Sequence, residues 1–488
     1  MPAQSNLINY PSPVEEEPCL DYKLTVNGQP VFTHRARVSA QPVNQVWPGY
    51  QRPLEQMEIA SFAAWGMTNP VEVSITCSGP IEDVRIRPSS YGIQPVVEDN
   101  TIRFMVNKPG QLAVEVNGTH KALHLFADPP EDNSLDINDP NVRYFGPGVH
   151  CVGLLQMESN QTIYIAGGAV VYGAIIAEHA QNIRITGRGI LDGSKFDRMD
   201  LNGLISLYQC TDVRIDGIIL RDPSGWTLVP VACQQVHISN IKIIGLWRYN
   251  SDGIDFVNCQ HCSVEDSFIR SFDDSIVLKG YDNWGPYIYP LQLNNNGWTI
   301  DGVNYGNFAQ MQDQHGKYPC NAASITDFEV RRCVIWNDWG RALEIGAETV
   351  ADEITHILFE DCDVIHTTHV AMDIQNSDRA TCKDIIFRNI RVELDDDFAR
   401  PDPHPIVLQN INGYCSYDCS RGHIEDIHFQ NIEITSPNLP VSVLEGYDPE
   451  HLVQRVTIED MRINGEPVTT LKTAGFNANE FVKEISFM

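Results

Sequence analysis

Three aspartates in two short segments have the types and spacing for acid–base chemistry. Asp252 lies in Asn250-Ser251-Asp252-Gly253-Ile254-Asp255, and the pair Asp273-Asp274 lies in Ser271-Phe272-Asp273-Asp274-Ser275. Carboxyl groups gathered at one spot can cleave a glycosidic bond. One protonated carboxyl gives its proton to the leaving oxygen, and an ionised one activates water. Crowded carboxylates cannot all ionise at neutral pH, so one keeps its proton and serves as the acid. Asp252 precedes Asp273 by 21 residues. That is close to one coil of a β-solenoid, whose coils stack about 4.8 Å apart. Such a coil would set Asp252 beside Asp273-Asp274.

The elements that would position them are legible as a repeat. An apolar-polar-apolar triplet recurs as Ile183-Arg184-Ile185, Val213-Arg214-Ile215, Val236-His237-Ile238, Phe328-Glu329-Val330, Ile427-His428-Phe429 and Val456-Thr457-Ile458. Period-2 alternation marks strands with one buried face, and long-range repetition marks stacked units that bury a core only together. Asn240, Asn258, Asn389 and Asn431 sit between these strands, where Asn suits tight bends. The expected fold is all-β: a right-handed parallel β-helix over 141–488, with a β-sandwich domain over 21–140 and an N-terminal extension over 1–20. The sandwich expectation rests on short strands such as Val71-Glu72-Val73-Ser74-Ile75, and on Asn27-Gly28 as a hairpin signal.

Composition narrows the partners. The chain has 34 basic and 64 acidic residues, a net charge of −30. Nucleic-acid binding, which needs a basic footprint, is not expected. A polyanionic substrate would meet a repelling field. No long apolar run predicts a membrane span. The thirteen cysteines form no disulfide framework, and Met1 to Tyr22 lacks the apolar core of a leader. A reduced, cytoplasmic protein is expected, with secretion left open should a leader have been replaced. Oligomeric state is not readable. Cys259-Gln260-His261-Cys262 has metal-ligand spacing but reads as a solenoid turn. No metal or other cofactor is expected.

The aspartate segments resemble those of the clan of inverting glycoside hydrolases that contains polygalacturonases (family 28) and the dextranases and isopullulanases (family 49). There the comparable segments read Asn-Thr-Asp-Gly-x-Asp and Asp-Asp-Cys-x-Ala. The opening Phe145-Gly146-Pro147-Gly148 looks more like family 49. The resemblance implies Asp273 as the acid, with Asp252 and Asp274 sharing the base role, and an oligo- or polysaccharide as substrate. It also implies about 6.5–9.5 Å between acid and base, as inverting enzymes require. Polygalacturonases carry Gly-His-Gly and Arg-Ile-Lys segments that this chain lacks. Where Arg-x-Lys would fall, it has Arg341-Ala342-Leu343-Glu344. Glu344 would repel a uronate, so a neutral glycan is expected.

Further substrate-binding candidates follow from phase along the coils: Lys279, Arg341, Glu344 and Asp373, with Gln409 a coil beyond. Trp284 and Tyr249 are candidates because aromatic rings stack on sugars. Trp284 lies in an insertion over about 281–323 that also holds Tyr281, Tyr287, Tyr289, Trp298 and Tyr305, with His315 and Lys317. Asp255 and Asp266 read as turn caps. The alternatives are a polygalacturonase-type pectin hydrolase and a non-catalytic glycan-binding solenoid.

Overall fold

The structure, a computed structural model, describes residues 7–40, 54–131, 135–198, 200–284, 299–300, 303–304, 318–394, 403–413 and 415–488. Thirty strands between Val142 and Phe487 join one ladder system, paired in parallel apart from a hairpin near the C-terminus. This is a parallel β-helix, and each coil around the site lays down three strands. One coil runs Gln234–Ser239, Lys242–Ile244 and Ile254–Val257. The next runs Gln260–Glu265, Phe268–Ser271 and Ile276–Gly280. The third runs Ile325–Arg331, Val334–Asn337 and Arg341–Thr349. Residues stack in register from coil to coil: Gln260 on Thr326, Phe268 on Val334, Ile276 on Leu343.

The three faces have different surroundings. The first carries the repeated triplets. Val236 and Ile238 point into the core while His237 between them is exposed. The bends use the expected asparagines: Asn240, Asn258, Asn389 and Asn431 all have positive φ, a conformation that costs Asn less than most residues. Inside the coils Cys210, Cys233, Cys259, Cys262 and Cys382 carry free, buried thiols. The Cys210 amide donates to Cys233 Sγ at 3.3 Å. Cys259 and Cys262 belong to the same buried core, with Cys262 inside a strand and not in a turn.

The second face is covered by the N-terminal residues. These form a six-stranded and a five-stranded sheet, whose strands lie between Leu7 and Asp128. Leu24, Val73 and Phe104 of one sheet share a core with Trp65, Leu112 and Leu125 of the other. Asn27 and Gly28 form the tight turn between paired strands. Leu7–Asn9 pairs antiparallel with Met57–Met67. The outer side of the six-stranded sheet places Val38, Phe62 and Phe126 against Ile190, Ile244, Phe268 and Trp336 of the coils. Buried ion pairs cross the same junction, Lys242 with Asp128 and Arg87 with Glu393. Removing one partner of such a pair strands a buried charge. Arg270 reaches across too: its guanidinium stacks on Trp336 at 4.0 Å and donates to His124 at 2.9 Å. It immediately precedes Ser271, so the sheets brace the strand that enters the aspartate turn. The third face carries the candidate site. No helix of the described residues is long and apolar enough to cross a membrane.

Candidate active site

Asp252 sits in the turn before Ile254–Val257, and Asp273-Asp274 sit in the equivalent turn one coil on. The two turns are stitched by backbone bonds. Gly253 N donates to Asp274 O at 2.8 Å, and Asp273 N donates to Ser251 O at 3.2 Å. The following coil continues this: Gly340 N donates to Phe272 O at 3.1 Å and Ser275 N to Arg341 O at 2.8 Å. Asn337 Nδ2 donates to Asp273 O at 2.7 Å. Gly253 and Gly340 occur where coils press together: a Cβ on Gly253 would lie 2.3 Å from Ser275 O. The outcome is that one carboxylate oxygen from each of Asp252, Asp273 and Asp274 lies within 4.8 Å of the others. Their exposures are only 2%, 8% and 5%.

Two cations decide how the three share protons. Lys279 Nζ lies 3.2 Å from Asp274 Oδ2 and 3.3 Å from Glu348 Oε2. The Arg341 amide donates to Asp274 Oδ1 at 3.2 Å, and its guanidinium lies 3.7 Å from the same oxygen. Burial pushes Asp274 up, but Lys279 and Arg341 outweigh it and hold the carboxyl below its usual range. Asp273 goes the other way: burial first, then the charge on Asp274, pushes it up to about 7. Asp252 is driven well above the usual range by burial, then by Asp255, Asp273 and Asp274. One carboxyl is thus poised near neutrality beside one that stays ionised, the pairing that acid–base cleavage needs.

The remaining candidates divide. Arg341 Nε pairs with Asp373 Oδ2 at 2.9 Å and lies 3.6 Å from Glu344 Oε1, while Nη2 donates to Gln375 at 2.8 Å. Arg341, Glu344 and Asp373 therefore form one cluster beside the aspartates, with Glu344 and Asp373 buried under the guanidinium. Lys279 is buried against carboxylates, so its role falls on Asp274 rather than on a sugar. Two expectations are corrected. Tyr249 lies inside the coil, edge-on to Phe272. Trp284 is buried between Tyr281 and Trp226, with ring centroids at 5.0 and 5.2 Å. Both are packing residues, because each ring is enclosed in a buried apolar cluster. Gln409 donates to Glu445 at 2.7 Å, further along the face. Tyr287, Tyr289, Trp298, Tyr305, His315 and Lys317 lie outside the described residues.

The turn-cap reading of Asp255 also fails. Asp255 is mid-strand on the outward side, fully buried next to Asp252. Asp266 does occupy a bend, with φ 52, and accepts from Arg332. Trp226 was not singled out from the sequence. It carries Lys279 over its ring at 5.5 Å and precedes Thr227, whose amide and hydroxyl both donate to Asp252 O. Its position as the first residue of a strand that stacks beneath Ile254 was the available signal. Asp252, Asp273 and Asp274 are also the group among the described residues close enough to share a cation. Lys279 and Arg341 already bring positive charge to Asp274.

The parallel β-helix is a fold with known members. Over 98% of this chain and 96% of the other, it superposes on Dex49A from Penicillium minioluteum with a TM-score of 0.66 at 15% identity. The family 28 exopolygalacturonase of Yersinia enterocolitica gives a TM-score of 0.50 at 13% identity, covering 86% of this chain and 96% of that one. These likenesses show the fold. In sequence, 84 residues are 33% identical to a probable polygalacturonase of Vitis vinifera, and the match spans 17% of each chain. No family model matches the chain.

Proposed function

We propose that this protein is a glycoside hydrolase that cleaves O-glycosidic bonds of an uncharged oligo- or polysaccharide with inversion. The observation that carries the reading is the cluster itself: Asp252, Asp273 and Asp274 bring one oxygen each within 4.8 Å of the others, with Lys279 and Arg341 against Asp274, an arrangement that raises Asp273 and holds Asp274 low. Asp273 gives its proton to the leaving oxygen as the glycosidic C–O bond breaks. Asp274 takes a proton from the attacking water, whose oxygen forms the new bond to the anomeric carbon. Asp252, itself pushed upward, orients that water rather than sharing the base role equally. One oxygen of each aspartate lies within 4.8 Å of the others, whereas the about 6.5–9.5 Å of inverting enzymes is a separation of whole carboxyl groups. Inversion is supported instead by how Asp274 is held. Each of its oxygens accepts a hydrogen bond, one from Lys279 and one from the Arg341 amide, which keeps it from advancing on the sugar. The reading takes the coil as right-handed and the two N-terminal sheets as a β-sandwich domain.

Charge supports an uncharged substrate. Lys279 and Arg341 are both engaged by carboxylates, so neither is left to hold a uronate. A uronate would have to displace those partners. Reducing-end release should therefore be seen with neutral α-glucans or galactosides and should be negligible with polygalacturonate. Preference for polygalacturonate, in keeping with the name of the Vitis relative, would make this a pectin hydrolase. Binding without release would make it a glycan-binding solenoid, and unsaturated products would make it a lyase.

A further inference from the structure

Glu344 is a fully buried carboxyl, and no donor among the described residues hydrogen-bonds either of its oxygens. It stands in the ladder directly across from Val277, three residues after Asp274. Its influence on Asp274 is that of a hydrogen-bond partner, lowering the Asp274 carboxyl. The groups facing it are Asp274, Arg341, Lys279 and Asp373. Arg341 is common to the pair, lying 3.7 Å from Asp274 and 3.6 Å from Glu344. The local charge does not balance if every acid ionises. Lys279 serves Asp274 and Glu348, and Arg341 serves Asp274, Asp373 and Glu344. Two cations thus face four buried carboxyls. Two carboxylates in contact, each able only to accept, would repel at short range in a low-dielectric site. A proton between them turns that repulsion into a charge-assisted hydrogen bond.

We propose that Glu344 carries a proton at neutral pH and donates it in a hydrogen bond to Asp274, which makes Glu344 a positioning residue for the base. It fixes the direction in which Asp274 presents its remaining lone pairs, and it keeps Asp274 ionised without another cation. Burial, then the Asp274 charge, holds the Glu344 proton on. The shared proton stands on the burial of Glu344, the guanidinium it shares with Asp274 and the charge count; its consequence for turnover rests on the hydrolase reading. An uncharged donor on this strand also leaves no extra cation to attract a uronate.

Glu344→Gln keeps an N–H that can donate to Asp274, whereas Glu344→Ala removes the donor. Infrared difference spectra of wild type minus Glu344→Gln at pH 7 should show loss of one protonated-carboxyl C=O band. This needs no substrate, so it holds or fails independently of the proposed activity. In turnover, Glu344→Ala should lower kcat by about 10- to 100-fold with little change in KM, in line with the loss of a group that orients a base. Its acidic pH limb should move to higher pH, because Asp274 loses a partner that favours ionisation. Glu344→Gln should recover most of the kcat and restore the limb. An unchanged carboxyl band in Glu344→Gln would overturn the shared proton. A Gln variant as impaired as the Ala variant, with no movement of the limb in either, would overturn the positioning role.

Discussion

Replacing Asp273 by asparagine is expected to lower kcat by about 10² to 10⁴, the usual cost of losing a general acid, while the protein stays folded. Asn is nearly isosteric, and the backbone bonds that hold the turn, Asp273 N to Ser251 O and Asn337 Nδ2 to Asp273 O, do not involve the carboxyl. The same group sets the pH dependence. The acid works only when protonated, so the wild-type rate should fall as pH rises through about 7. Stability moves the same way. The folded state holds this proton more tightly than the unfolded chain, where an Asp titrates near about 4. The stability it contributes is full below that value and is lost as pH rises to about 7. Asp273→Asn should flatten this part of the stability curve. Steady-state rates and thermal unfolding from pH 4 to 9 check both parts. Near-wild-type turnover in the variant would remove Asp273 from the mechanism.

Gly340→Ala should be nearly as damaging, although Gly340 carries no chemistry. A Cβ there would lie 2.4 Å from the carbonyl carbon of Asp273, 2.4 Å from the amide nitrogen of Asp274 and 2.7 Å from Asp274 Oδ1. Two of these are backbone atoms with nowhere to swing, so the aspartate turn must move. A displacement of about 1 Å at reacting groups can cost about 10²-fold. kcat/KM should fall by at least that factor while far-UV circular dichroism keeps its β signature. Activity within a few-fold of wild type would mean that this turn tolerates movement, and that the tight placement of Asp273-Asp274 is not what turnover depends on.

What could be read from the sequence follows from which strand faces meet water. The first face has solvent on one side, so Val236-His237-Ile238 and its repeats alternate and are visible as a pattern. The second and third faces are buried on both sides at Lys242–Ile244 and Ile254–Val257, so they show no alternation. The aspartate spacing was legible because coil length alone aligns Asp252 with Asp273-Asp274. The places of Tyr249 and Trp284 were not, because an aromatic ring beside a turn reads the same whether it faces a groove or a neighbouring coil. Asp255 read as a turn cap because its segment is rich in turn residues, yet its strand begins one residue earlier. The contact between Glu344 and Asp274 spans 70 residues of chain, including an insertion. Only the register of Val277 with Glu344 reveals it.

The central claim, water-mediated cleavage by these three aspartates, is tested most directly by proton NMR of the first product. A substrate of known anomeric configuration is followed from the first seconds of turnover, before mutarotation. The account predicts that the released sugar first appears with the opposite configuration, because Asp274 is held back and water attacks from the far face. A product that first appears with the configuration retained would contradict it, and would assign one of the aspartates as a nucleophile.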